Sequence, residues 1–165
     1  MNVLFHLAAG FGIAVALCNQ ELKPKKIPTA TAGAFIAFVS HALLDYTPHC
    51  YPINSKVDFI AGFILLLVLS FFARKEYRWI MLATLCGSVL PDIIDLLPAI
   101  LNKQFHLNLP VYAKIFPWHW KIYSGSIYIN ECQVSNINIG LLLFSVLLVV
   151  LLKKSTVRRM YSQSK

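Results

Sequence analysis

Charge is what this chain has least of. Only 13% of its 165 residues are charged, and just seven are acidic, whereas soluble domains carry roughly 25% charged residues. With 58% of residues hydrophobic and a mean hydropathy of +0.64, too much apolar surface is present for a water-soluble fold to bury. The composition therefore reads as an integral membrane protein. The four cysteines, Cys18, Cys50, Cys86 and Cys132, form no CxxC pair. That excludes a zinc ribbon or a thioredoxin-like motif, and packed thiols are the expected role, with a pairing of Cys50 and Cys132, both on the outer side, left open. No phosphate-binding loop, nucleotide fingerprint or serine-nucleophile elbow occurs, so ATP-driven transport and serine chemistry have no support. The N-terminus lacks a basic signal-peptide region, and Val15-Ala16-Leu17-Cys18 lacks the small residue that precedes a lipidated cysteine. Residues 3 to 18 are accordingly expected to be a retained first span.

What is present is a series of apolar runs. A spanning helix needs about 20 mostly apolar residues, and five segments meet or approach that length: Val3–Cys18, Ile27–Tyr46, Val57–Ala73, Trp79–Leu101 and Ile137–Leu152. Backbone groups in lipid must bond within their own segment, and no alternating strand pattern is seen, so these are helices. The expected fold class is all-α, a polytopic membrane helix bundle of about five transmembrane helices. One integral domain covers residues 1–152, including an outer loop over 102–136 with Pro110, Pro117 and Gly125. Residues 153–165 form a basic tail.

The formal net charge of +8 can indicate nucleic acid, but the basic residues fall in short clusters between apolar runs, and no nucleic-acid partner is expected. Lys23, Lys25, Lys26, Arg74, Lys75, Arg78, Lys153, Lys154, Arg158, Arg159 and Lys165 all lie on one side of a five-span chain. Lys56, Lys103, Lys114 and Lys121 lie on the other. The positive-inside rule then puts the C-terminus in the cytoplasm and the N-terminus outside.

On this frame the remaining ionisable residues gather at the outer end. "SHALLDYTPH" places His41, Asp45 and His49 at four-residue steps, on one helix face for as long as the helix persists. Asp92 and Asp95 are separated by three, again one face. His6 lies near the outer end of the first span, Asp58 starts the third, and His119 sits in the outer loop within "FPWHW". A charged side chain at bilayer depth costs roughly 2.5 to 3.5 kcal/mol or more. A shared divalent cation would offset that cost, since imidazole nitrogen and carboxylate oxygen are its ligands. Other roles remain open for single residues. His6 or His106 can serve as interhelical hydrogen-bonders, Asp58 as a charge at a helix N-terminus, Asp92 as a cap, and "FPWHW" as an interfacial aromatic belt.

The strings "SHALLDYTPHCYP", "KVDFIAGF" and "GSVLPDIIDLLP" resemble the membrane-bound metal-dependent hydrolase family, which shares a helical superfamily with the zinc-dependent phospholipases C and single-strand-specific nucleases. The similarity covers roughly residues 1 to 125. It implies His6, His41, Asp45, Asp92 and Asp95, with His49 and His119 left open, as metal ligands or their close neighbours; the metal set expected from it is His6, His41, Asp45, Asp92 and His119. Many relatives carry a histidine where Leu96 stands, and another is expected where Tyr123 stands, so the resemblance implies one or two ions, zinc by preference.

The expectation is a membrane-embedded metal-dependent hydrolase of a prokaryotic plasma (inner) membrane, its site facing outward. It would act on a phosphoester such as a phospholipid headgroup, with Asp95 or His49 as the catalytic base. Lys114 and Lys121 would attract an anionic group. The alternatives are an ion or metal transporter subunit and a non-catalytic metal-binding membrane protein. The inner halves of the spans (Gly10–Leu17, Ile27–Ala37, Leu65–Ala73) carry no ionisable side chain, which favours a one-ended site over a transport path.

Overall fold

The computed structural model describes residues 1–18, 26–127 and 132–162. Seven α-helices run in the order α1 (Val3–Leu17), α2 (Lys26–Tyr46), α3 (Ser55–Phe71), α4 (Lys75–Asp95), α5 (Leu97–Phe105), α6 (Gln133–Leu152) and α7 (Lys154–Tyr161). A short 3-10 turn covers Pro117–His119. The described residues contain no strand, only an isolated parallel bridge between His49 and Ser126. Three helices, α2, α4 and α6, are long and apolar enough to cross a membrane. The expected basic clusters at Lys23, Lys25 and Lys165 lie outside the described residues.

α1 is apolar all round, with His6 its one ionisable residue, and such a helix belongs inside a bundle. It packs against α2, α3, α4 and α6. Its free N-terminal amides are satisfied from another helix: Asp58 of α3 accepts from Val3 N–H at 2.7 Å and Leu4 N–H at 3.0 Å. This carboxylate is thus a cap for α1, favoured there by the helix dipole as well as by the hydrogen bonds. The core between α1 and α4 holds Leu7, Val15, Ile80, Met81 and Leu85, and Met160 of α7 closes it from below. Arg74 N–H donates to the Met160 carbonyl at 2.7 Å, so the start of the segment read as a tail is helical and docked.

α2 and α4 make the most extensive helix pair. Gly87 permits their approach, because a Cβ there would fall 2.4 Å from the Ala34 carbonyl oxygen. The outer surface is largely hydrocarbon. Phe63 and Phe71 of α3 and Leu141, Phe144 and Leu151 of α6 are exposed, as lipid contact would require.

The fourth expected span, Trp79–Leu101, is not one helix. α4 ends at Asp95, Leu96 has φ −114°, and α5 restarts with Pro98 in its first turn. Proline has no N–H to continue the ladder, so a break just ahead of it follows from its chemistry. Pro91, by contrast, lies within α4, in the last turns before that break.

Candidate metal centre

Four side chains from three parts of the chain converge at the end of the bundle where α1 begins and α2 and α4 finish. His41 and Asp45 come from α2, Asp92 from α4 and His119 from the 3-10 turn. His41 Nε2 lies 3.3 Å from Asp45 Oδ2 and 3.6 Å from Asp92 Oδ1. His119 Nε2 lies 3.2 Å from that Asp45 oxygen and 3.3 Å from that Asp92 oxygen. The two Nε2 atoms are 3.3 Å apart. Zinc binds imidazole and carboxylate at about 2.0 to 2.2 Å, and the edge of a tetrahedron around it is roughly 1.63 times longer, or about 3.3 to 3.6 Å. These five of the six separations in such a tetrahedron lie close to that edge length, and all the ligand atoms fall within 4.8 Å of one another.

The donor set is as informative as the spacing. His41 Nδ1 lies 2.7 Å from the Ser88 carbonyl oxygen, which can only accept, so Nδ1 carries the proton and Nε2 presents its lone pair. His119 Nδ1 is held in the same way by Asp95 Oδ2 at 2.9 Å. Both imidazoles therefore aim Nε2 at the same point as two carboxylate oxygens. Such a convergence of acceptors needs a cation or a proton at its centre, and outer hydrogen bonds of this kind are how metal-binding histidines are oriented. The group of His41, Asp45, Asp92 and His119 can hold a metal ion.

His119 lies outside the helices, and its surroundings push its basicity in both directions. Burial lowers it, but hydrogen bonds to Asp45, Asp92 and Asp95 prevail and raise the imidazole to about 9. Without a metal, a proton on Nε2 takes the cation's position.

The loop that brings His119 in is fastened at three places. Asp95 accepts from the amides of Ile115 and Phe116, each at 2.9 Å, in addition to His119. Phe116 and Trp118 stack with ring centroids 5.0 Å apart, and both meet Phe38 of α2 edge-on. Gly125 donates to the Asp45 carbonyl at 2.8 Å and accepts from His49 N–H at 2.9 Å. A Cβ on Gly125 would sit 2.0 Å from the Thr47 carbonyl oxygen, so only glycine fits. "FPWHW" thus clamps the loop to α2.

Asp45 is used on both sides. Its other oxygen, Oδ1, faces His6 Nε2 at 3.2 Å and bonds the Met1 amino nitrogen. His6 stacks on His41 with centroids 3.8 Å apart, while its Nδ1 has no hydrogen-bond partner. His49 lies beyond. Its Nδ1 donates to the Thr47 carbonyl at 2.8 Å, and Nε2 meets the Met1 nitrogen at 2.8 Å and the Tyr51 and Ser126 hydroxyls, each at 3.2 Å. Burial is the main cause of a lowered basicity at His49, and the Met1 amino charge adds to it.

The structure brings together His6, His41, Asp45, His49, Asp92, Asp95 and His119. Asp95 faces the Nδ1 side of His119, away from the converging atoms. Asp58 goes to α1, and His106 is an exposed left-handed cap with φ 55°. Sequence reasoning missed the Ser88 carbonyl, Tyr51 and Ser126. The pairing of Cys50 with Cys132, which the sequence left open, is present with Cα atoms 5.9 Å apart. Cys18 and Cys86 are free.

A cleft of about 470 Å³ opens onto the centre, with Asp45, Asp92 and His119 at its floor and Lys114, Lys121 and Ser126 among its walls. That volume is in the range of small-molecule sites. No family model matches this chain, and neither a curated protein nor a solved structure matches it.

Proposed function

We propose that this protein is a membrane-embedded metal-dependent hydrolase of a prokaryotic plasma membrane, acting on a phosphoester at the outer face. The observation that carries the reading is the convergence of two Nε2 atoms and two carboxylate oxygens at tetrahedral edge distances on the floor of an open cleft. His41, Asp45, Asp92 and His119 would hold the ion. A zinc-like cation supplies Lewis acidity and lowers the pKa of a water towards about 7.

The chain's own groups supply the rest. Asp95 fixes the His119 tautomer and is fully engaged in doing so, which leaves His49 as the proton acceptor. Its Nε2 is unprotonated when Nδ1 donates to Thr47, but it accepts from the Met1 amino group at 2.8 Å, a bond that must yield before it takes a proton; the Ser126 hydroxyl, 3.2 Å away, lines the cleft. A proton leaving the attacking water would pass to the Ser126 oxygen while the Ser126 proton passes to His49 Nε2. Lys114 and Lys121 would draw an anionic group into the cleft. The disulfide lies at this end of the molecule, and such bonds persist in oxidising compartments. Lys75, Lys153, Lys154, Arg158 and Arg159 lie at the other end, which fits the positive-inside rule and a five-span chain with the site outward.

Metal analysis of the purified protein tests the reading first. One or two equivalents of zinc or a similar ion are expected, and Asp45→Ala should remove most of it. A screen of lipid and nitrophenyl phosphoesters should then show hydrolysis that stops on chelation. Undiminished metal in Asp45→Ala, or no hydrolysis with any divalent metal, would refute it.

A further inference from the structure

Beside the polar cleft runs a second, almost wholly apolar groove between α1, α3, α4 and α5. Leu7, Phe63, Leu66, Ile93 and Leu97 line it, and the one acidic residue in its wall is Asp92. The two spaces adjoin, since Val3, Phe59, Asp92 and Ile100 line both. The groove is open sideways. Phe63 is 56% exposed and Ile93 44% exposed, and both lie on outward faces of helices next to hydrocarbon. An apolar groove on the outward side of the bundle thus has a carboxylate of the candidate metal centre in its wall.

We infer that the groove receives the hydrocarbon chain of a lipid whose phosphate-bearing head occupies the cleft, so that the substrate enters laterally from the bilayer. The inference rests on the proposed hydrolase reading for its headgroup. It adds the class of molecule, an amphiphile whose head-proximal methylenes lie in the groove, about 90 Å³ and open at its side, while the rest of the chain stays in the bilayer. Charge and polarity divide along the same line. Lys114 and Lys121 stand in the cleft where the anionic group would lie, and the groove offers no cation. A chain leaving the bilayer for the groove exchanges one apolar environment for another, so little affinity comes from that transfer. Its use is to place the ester beside Asp92, with recognition left to the head.

A photoreactive probe tests this directly: a hexadecyl phosphate bearing a diazirine a few carbons from its phosphate, added to the full-length protein in phosphatidylcholine bilayers. Crosslinks should map to Phe63, Leu66, Ile93 or Leu97 and disappear with excess unlabelled hexadecyl phosphate. Labels on the exposed face of α6 should not be competed. Hexadecanol, which lacks the phosphate, should compete poorly. Leu66→Trp should abolish the saturable labelling, and Ile93→Trp, which alters only a lipid-exposed wall, provides a second block should the first misfold. Saturable labelling that persists in both folded variants, or equal competition by hexadecanol, would overturn the groove. Zinc content separates the two readings: a metal-free protein that still labels saturably keeps the groove and loses the hydrolase, and a zinc-loaded protein without groove labelling does the reverse.

Discussion

Asp95 stands directly behind His119, its Oδ2 accepting the Nδ1 proton at 2.9 Å while the amides of Ile115 and Phe116 close on the same carboxylate. One acidic side chain therefore sets the tautomer of a candidate ligand and the position of the loop that carries it. Asp95→Asn would turn an amide N–H₂ towards either the imidazole or a backbone amide. Loss of such an outer partner typically costs 10- to 100-fold in metal affinity. Competition with a chromophoric chelator should show a decrease of that order with helix content unchanged. Wild-type affinity would remove Asp95 from this positioning role.

The raised basicity of His119 would give metal binding at this centre, with zinc as the probe ion, a pH dependence of definite sign. The metal-free imidazole holds a proton below about 9, and the metal requires its Nε2 lone pair. Apparent affinity should fall as pH drops through that value, by up to about tenfold per pH unit for one released proton. The metal-free fold should show the opposite trend. A group raised above its ordinary 6.5 contributes stability that is complete below about 6.5 and lost as pH rises through about 9. Zinc titrations and thermal melts over that window check both slopes, and pH-independent zinc affinity would count against His119 as a ligand.

The Cys50–Cys132 bond spans a sequence separation of 82 residues. Loop-closure entropy for such a span amounts to at most roughly 4.5 kcal/mol. It also fastens the start of α6 beside His49, where Cys50 N–H donates to the Ser135 hydroxyl at 2.7 Å. Reduction, or Cys132→Ser, should lower the thermal midpoint and loosen the His49 side of the cleft more than the His41 side. Hydrogen exchange at the two segments distinguishes them.

Gly125→Ala should be far more damaging than its chemistry suggests. The added methyl has 2.0 Å to the Thr47 carbonyl oxygen, which is backbone and cannot swing away. The loop must lift, carrying His119 off the centre. Zinc affinity should drop together with stability, whereas Gly140→Ala, with nothing within 4 Å of its Cβ, should leave both as they are.

The sequence made parts of this arrangement readable because they are local. His41 and Asp45 share a face of α2 through helical periodicity alone, and the acidic pair of α4 does the same. The periodicity does not reveal that Asp92 and Asp95 divide their work, one facing His41 and the other His119 Nδ1. That division depends on a loop whose docking is decided by backbone groups and a glycine contact, and neither carries a periodic signal. The helix break at Leu96 was available in Pro98 but was masked by an apolar run. The role of Asp58 was half legible: a charge for a helix N-terminus, though the helix it serves is α1, 55 residues away from its partner Val3.

The shortness of α1 bears on where chemistry would take place. Its 15 residues rise about 22 Å, several ångströms less than a hydrocarbon layer of roughly 30 Å. A bundle built around so short a central rod either pinches the bilayer beside it or leaves a well above the rod's end. In the second case the imidazoles and carboxylates, gathered where α1 begins, would sit at the bottom of that well, and an ester would have to sink to meet them.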